Sequence, residues 1–248
     1  MMNTVLEVQL LRKSYGSLEA VAGVSFSVAR GSIFGLLGHN GAGKTTTIEC
    51  ILGTRSGDAG SVRILGMDSI RDRRQLFERV GVQFQNTRFQ DHLRVGEACA
   101  LASALYREPG DWRALLEQFG LSDKIKTCVN ELSGGERQKL AVLLALIPDP
   151  ELLFLDELTT GLDPVSRRTM WQHLLDLKKT GVSIVLTSHY MDEVERLCDN
   201  IALMKDGVFA ASGTPEQLIA EQAARQDGIR NLEDVFLCYM NKEECDEA

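Results

Sequence analysis

Nine residues, GHNGAGKTT from Gly38 to Thr46, fit the spacing G-x-x-x-x-G-K-[S/T] and lie between an apolar run, SIFGLL, and a helical pattern, GKTTTIECIL. A loop of this kind can turn its backbone N–H groups toward a chain of phosphates, place an ammonium on the outer ones and offer a hydroxyl to Mg²⁺. The residues expected to bind are Gly38, Asn40, Gly41, Gly43 and Thr46 through the loop, Lys44 through its charge and Thr45 through its hydroxyl. The competing reading is an ordinary glycine-rich turn, and the strand–loop–helix context argues against it. A nucleoside triphosphate is the expected ligand.

A second stretch, ELLFLDE from Glu151 to Glu157, is an apolar strand ending in two carboxylates. In a parallel sheet the carboxyl ends of strands face the ligand crevice, so both acids should arrive beside the phosphates. Asp156 suits Mg²⁺, held through water, and Glu157 suits a general base that polarises an attacking water. Adjacent carboxylates imply hydrolysis rather than nucleotide storage. The run VSIVLTSHYMDE brings His189 to the end of another strand on the same side, where an imidazole can donate to a γ-phosphate and orient the water beside Glu157. A further stretch, NELSGGERQKL, places Ser133, Gly134 and Gly135 at a helix start, where unpaired N–H groups and the helix dipole favour an anion. A chain with a complete phosphate loop elsewhere therefore carries a second anion cradle.

These residues need a sheet to position them. Strand-like runs at VLEVQLL, GVSFSV, SIFGLL, SVRILG, VGVQFQ, LLFLDE, SIVLTS and NIALMKDG alternate with helical patterns, the best of which start at Gly43, Val165 and Tyr190. That alternation predicts an α/β fold with parallel strands. From about residue 94 to 148 the strand signal vanishes, and apolar residues recur at helical spacing through EACALASALY, WRALLEQFGL and ERQKLAVLLALI. This block reads as a helical subdomain inserted into a domain of residues 1–228. Residues 229–248 read as a tail, with NLEDVFLCYM followed by an acidic end expected to be disordered.

With 248 residues and 44% hydrophobic content, the chain can bury a large core. Its apolar runs fall well short of the roughly 20 residues that span a bilayer, and MMNTVLEVQLLRK lacks the layout of a signal peptide, so cytoplasmic residence is expected. Six cysteines, at 50, 99, 128, 198, 238 and 245, show no CxxC pair and no metal-like pairing with the four histidines, which predicts free thiols and no zinc. A net charge of −8 argues against a broad nucleic-acid footprint.

Taken in order, GHNGAGKTT (Walker A), LSGGE (signature), LLFLDE (Walker B), GLDP (D-loop) and SH (switch) resemble the ATP-binding subunit of an ABC (ATP-binding cassette) transporter, from Leu6 to Ile219. The implied fold is a P-loop NTPase core with an antiparallel β subdomain and an inserted helical subdomain. ATP and Mg²⁺ are implied as cofactors. The resemblance also implies that Tyr15, in KSYG, stacks on adenine, for which an aromatic face is suited. It marks a glutamine after VGVQF as a Mg²⁺ contact, with Gln83 and Gln85 both available and Gln85 favoured at the strand's end. It implies that Ser133, Gly134, Gly135 and Glu136 grip ATP held by a second subunit, with Asp163 of GLDP on the seam between two shared sites. Leu158 stands where a proline often follows the catalytic acid, and Glu136–Arg137 replaces the commoner end of the signature. Neither change removes a ligand.

The partners implied are a second copy or a homologous ATPase subunit and separate membrane permease subunits, with the stretch from Gln85 to Tyr106 as their dock. YMDEVERLCDNIALMKDG and NLEDVFL are similar to bacterial exporters of drugs, lipids or polysaccharides. An uptake ATPase would share every catalytic residue, and a soluble ABC ATPase of translation or DNA repair is the rival from another class, though such proteins usually carry two cassettes or a coiled-coil insertion.

Overall fold

The computed structural model describes residues 4–85 and 89–240. In chain order the strands are β1 (Thr4–Tyr15), β2 (Leu18–Ala29), β3 (Ile33–Leu37), β4 (Ala59–Ile64), β5 (Met67–Asp68), β6 (Val80–Gln83), β7 (Leu152–Asp156), β8 (Ser183–Ser188), β9 (Asn200–Lys205) and β10 (Val208–Gly213). The helices are α1 (Lys44–Ile51), α2 (Arg73–Leu76), α3 (Val95–Ser103), α4 (Trp112–Gln118), α5 (Gly134–Leu146), α6 (Pro164–Lys179), α7 (Met191–Leu197), α8 (Pro215–Ala223) and α9 (Leu232–Met240).

Six strands form one sheet in the order β10-β9-β3-β8-β7-β6, parallel except where β10 turns back antiparallel on β9. Four others form an antiparallel sheet in the order β2-β1-β4-β5. Every residue of β3, β7 and β8 is buried, as expected of parallel strands covered on both faces. Their alternation divides the interior. Ile33, Leu37, Leu153, Leu155, Ile184 and Leu186 face one core together with the helices, whereas Phe34, Leu36, Leu152, Phe154 and Val185 face a second core shared with α1 and the antiparallel sheet. Each strand thus reads as a continuous apolar run although each face is specified separately.

Between β6 and β7 the described residues form α3, α4, α5 and two short 3₁₀ turns, and no named strand. The elements that sequence reading omitted, α2, β5 and β10, are short or half exposed and carry little periodic signal. At the other end, Leu232 and Val235 of α9 are fully buried in the helix-side core, so this helix caps the domain. The acidic end expected to be disordered lies outside the described residues. Among the described residues, no helix is long and apolar enough to cross a membrane.

Candidate active site

The parallel register delivers the chemistry to one edge of the sheet. Leu37, the last residue of β3, pairs with Ser188 at the end of β8, and Asp156 at the end of β7 pairs with Thr187. The loop that leaves β3 wraps into the first turn of α1, and its course demands glycine. A Cβ on Gly38 would lie 2.4 Å from the Met204 carbonyl oxygen, and one on Gly43, at φ 105°, 2.2 Å from that of Ala20. A cavity of about 340 Å³ lies over this loop, lined by Tyr15, Asn40, Gly41, Gly43, Lys44, Thr45, Thr46, Gln85 and Glu157, together with Leu18 and Ala20.

Lys44 is buried at the cavity's base, its Nζ donating to the carbonyls of Gly38 at 2.8 Å and His39 at 3.1 Å. Its ammonium stands 3.7 Å from Glu157 Oε1. Burial pushes the Lys44 pKa down, and the Glu157 and Asp156 carboxylates oppose that shift. Asp156 accepts from Thr187 Oγ1 at 2.5 Å and from Thr45 Oγ1 at 3.1 Å. Burial raises its pKa, and these two hydroxyls and Lys44 pull it back.

Glu157 is held from several sides. Its backbone sits at φ 50°, a left-handed conformation that costs a non-glycine residue about 1–3 kcal/mol. Its N–H donates to Thr187 Oγ1 at 3.0 Å and to the Thr187 carbonyl at 3.2 Å, which secures that turn. Its Oε2 accepts from Gln85 Nε2 at 2.8 Å and lies 3.6 Å from His189 Nδ1, a buried nitrogen with no hydrogen-bond partner among the described residues. Of the two glutamines, therefore, Gln85 reaches the acid. Gln83 is buried, spends its amide on the Phe84 carbonyl at 2.7 Å and pairs with Leu155 in the sheet.

Tyr15, at the end of β1, is 40% exposed, with Lys13 Nζ 5.6 Å and Arg55 Cζ 5.3 Å from its ring centroid. Among the described residues His189 meets the site through Glu157, and it lines a separate groove of about 480 Å³ with Tyr190, Asp192 and residues of α9. Thr187, which binds both acids, is the residue that sequence reading missed. Its signal lies in the TSH run, one residue before Ser188 and two before His189.

None of Ser133, Gly134, Gly135 and Glu136 lines the phosphate-loop cavity. Ser133 caps α5 in a reciprocal box: its Oγ accepts from the Glu136 N–H at 3.2 Å while Glu136 Oε2 accepts from the Ser133 N–H at 2.9 Å. These bonds hold the Glu136 carboxyl below its usual pKa, assisted by Lys124 at 3.2 Å. The N–H groups of Gly134 and Gly135 have no protein acceptor among the described residues. Asp163 caps α6, accepting from the N–H groups of Val165 and Ser166 at 2.9 and 3.1 Å and from Ser166 Oγ at 2.5 Å. A Cβ on Gly135 would come within 2.9 Å of that Ser166 hydroxyl, so the two helix starts are immediate neighbours.

A family model described as ABC transporter matches residues 21–160, more than half of the chain. The chain belongs to the ABC transporter ATP-binding family. It is accordingly an ATP-binding subunit with ATPase activity, built on the P-loop NTPase fold with an antiparallel β part. It is 42% identical over 227 residues to the Nod factor export ATP-binding protein I of Ralstonia nicotianae, covering 88% of this chain and 70% of that one. It is 36% identical over 239 residues to the probable multidrug ABC transporter ATP-binding protein YbhF of Escherichia coli, covering 94% of this chain and 41% of that longer protein. A solved structure described as the ATP binding subunit of an ABC transporter matches with a TM-score of 0.85 at 26% identity, over 96% of this chain and 100% of that one. Exporter-type names among such relatives agree with the exporter resemblance.

Proposed function

We propose that this ABC ATPase hydrolyses ATP at composite sites formed by two subunits and thereby drives export through separate membrane subunits. The observation that carries the reading is the convergence of Lys44, Thr45, Glu157 and Gln85 on the cavity over the phosphate loop, with Asp156 buried behind it and hydrogen-bonded to Thr45. Tyr15 offers its ring to adenine, and the loop Gly38, Asn40, Gly41, Gly43 and Thr46 offers N–H groups to the phosphates. Lys44 trades the carbonyls of Gly38 and His39 for phosphate oxygens. Glu157, with its backbone pinned by Thr187, accepts a proton from the attacking water, while Gln85 holds its carboxylate in place and His189 donates to the γ-phosphate and orients that water. An all-oxygen set of Thr45, Gln85 and Asp156 fits Mg²⁺, which brings its own waters and shares phosphate oxygens rather than needing a cage of acids. Bound there, Mg²⁺ would neutralise charge on the phosphates.

The free N–H groups of Gly134 and Gly135, outside the chain's own cavity, support the assignment of Ser133 to Glu136 to ATP carried by a second copy or a homologous subunit, with Asp163 at the seam. We take the ATPase domain as residues 1–228 with a helical subdomain at about 94–148, and 229–248 as a tail whose helix α9 packs back on that domain through Leu232 and Val235. A groove of about 700 Å³ between α2 and the segment after α3 is lined by Arg73, Arg74, Phe77, Leu105 and Arg107 among others. Its arginines and the exposed Leu105 suit a short acidic and apolar helix of a permease on the cytoplasmic face of the membrane, where this subunit would sit. The names of the relatives favour export, and nothing in the site calls for nucleic acid. The test is phosphate release by the purified chain with Mg²⁺ and ATP, alone and bound to a multi-span membrane partner. Turnover abolished by Lys44→Ala and altered by the partner supports the reading; turnover indifferent to Lys44 overturns it.

A further inference from the structure

The site described above leaves one buried acid unused. Glu193, in the first turn of α7, is 3% exposed, yet its carboxylate is satisfied by two donors from different elements. Trp171 Nε1, in α6, donates to Oε1 at 3.0 Å, and Ser188 Oγ, the last residue of β8, donates to Oε2 at 2.6 Å. Ser188 Oγ in turn accepts from the Tyr190 N–H at 3.0 Å. His189 therefore sits in the middle of a turn whose two ends are tied to one hydroxyl, and that hydroxyl is tied to Glu193. Arg167 reinforces the far side, its guanidinium 4.2 Å from the Tyr190 ring centroid and 3.7 Å from Asp192.

A carboxylate is an expensive way to fill such a place. Burying one costs several kcal/mol before its partners offset the loss, and apolar residues of similar size often pack as well or better. What the carboxylate adds is geometry: two oxygens at a fixed separation, one on the turn that carries His189 and one on the helix that Asp163 begins. His189 Nδ1 lies 3.6 Å from Glu157 with no hydrogen-bond partner among the described residues, and the imidazole packs on the Tyr190 ring with centroids 4.2 Å apart, so its position depends on the turn that carries both residues.

We propose that Glu193 is a positioning residue that fixes the His189 turn against Glu157 and ties it to α6. The inference rests on the reading of His189 as part of the hydrolytic site. Its action is indirect, through Ser188, and Glu193 touches neither Glu157 nor the phosphate-loop cavity.

The test compares wild type with Glu193→Gln, which keeps the shape, and Glu193→Met, which removes the buried charge and both bonds. Histidine-selective NMR reads the turn directly, with the His189 signal assigned by its loss in His189→Ala and with His39 and His92 as unmoved references. Steady-state kinetics of the full chain read the consequence. In both variants the His189 signal should shift or broaden, and kcat should fall about ten- to a hundred-fold from the misplacement, with KM for ATP nearly unchanged. This should hold for Glu193→Met even where its Tm equals or exceeds that of wild type, which a purely structural acid would not produce. An unmoved His189 signal in the folded variants overturns the proposal. So does a displaced signal with wild-type kcat while His189→Ala slows turnover, and so does failure of both variants to fold. Wild-type turnover by His189→Ala would instead remove the catalytic reading of His189 itself, and this inference with it.

Discussion

Replacing Glu157 with Gln is the most informative single change, because its consequences for chemistry and for binding can be worked out separately. The side chain keeps its length, and the new amide oxygen can still accept from Gln85 Nε2, which now lies 2.8 Å from Oε2. The left-handed backbone and its two bonds to Thr187 do not involve the side chain and persist. Lost are the proton acceptor and the negative charge 3.7 Å from Lys44. A positioned general base contributes about 10²- to 10⁴-fold, or about 3–5 kcal/mol of barrier. Turnover should fall by that factor. Binding should respond differently, since the phosphates give Lys44 new negative partners and a repulsive carboxylate beside them is gone. ATP affinity should be unchanged or tighter, and ATP-bound dimers should accumulate. The assay is phosphate release at saturating Mg²⁺ and ATP, alongside nucleotide affinity and the oligomeric state by size. A rate within about ten-fold of wild type would exclude Glu157 as the base. Affinity weakened about ten-fold or more would mean that the acid binds rather than activates.

Lys44→Ala should instead weaken ATP binding about ten- to a hundred-fold, the worth of a charge-assisted contact, and equal affinity in Lys44→Ala and Glu157→Gln would contradict this division of roles. Thr187→Val strips a donor from Asp156 and an acceptor from the Glu157 N–H, so it should cost about 1–3 kcal/mol and lower Tm by roughly 2–4 °C for each, with a slower kcat; an unchanged Tm in thermal unfolding would contradict it. Gln85→Ala should impair partner-coupled transport more than the basal ATPase, whereas equal losses would make Gln85 a ligand only, and uncoupling by Gln83→Ala alone would assign the coupling role to Gln83. Burial raises the Glu193 pKa against the bonds from Ser188 and Trp171 and the nearby Arg167, with Cys198 the other titratable group facing it. The folded state then holds the proton more tightly than the unfolded one, so this group's contribution to stability falls as pH rises from the usual glutamate value near 4.5 through the higher folded value. Glu193→Gln should remove that decline, and an identical slope of stability against pH in both proteins would refute it.

Local chemistry was legible in the sequence and cross-strand chemistry was not. Loop, acids and signature each announce themselves in consecutive residues, because a phosphate loop or a capping box is closed within one turn of chain. Gln83 and Gln85 show where such reading stops. Two residues apart, they share a face by strand alternation, and what separates them is that β6 ends at Gln83. Past that point the chain leaves the ladder and Gln85 turns toward Glu157. The contacts of Thr187 with Asp156 and of Glu193 with Trp171 carry no local signal either, since these partners lie 31 and 22 residues away in sequence and are brought near by strand register and helix packing. The packing of the tail was not legible either, because the apolar pattern of NLEDVFL does not say what it covers, and only the tertiary structure places Leu232 and Val235 in the helix-side core.

The central claim, that Ser133 to Glu136 serve ATP held by the other subunit, is tested most directly by occlusion of nucleotide in tagged mixed dimers in a Glu157→Gln background. Lys44→Ala disables a phosphate loop and Ser133→Arg blocks a signature. With both lesions on one subunit paired with an otherwise unmutated one, each shared site contains a lesion and no ATP should be occluded. With the lesions on opposite subunits, both fall in one site and the other should occlude one ATP per dimer. Occlusion in the first arrangement and none in the second would show that each chain's signature faces its own phosphate loop, and would contradict the account.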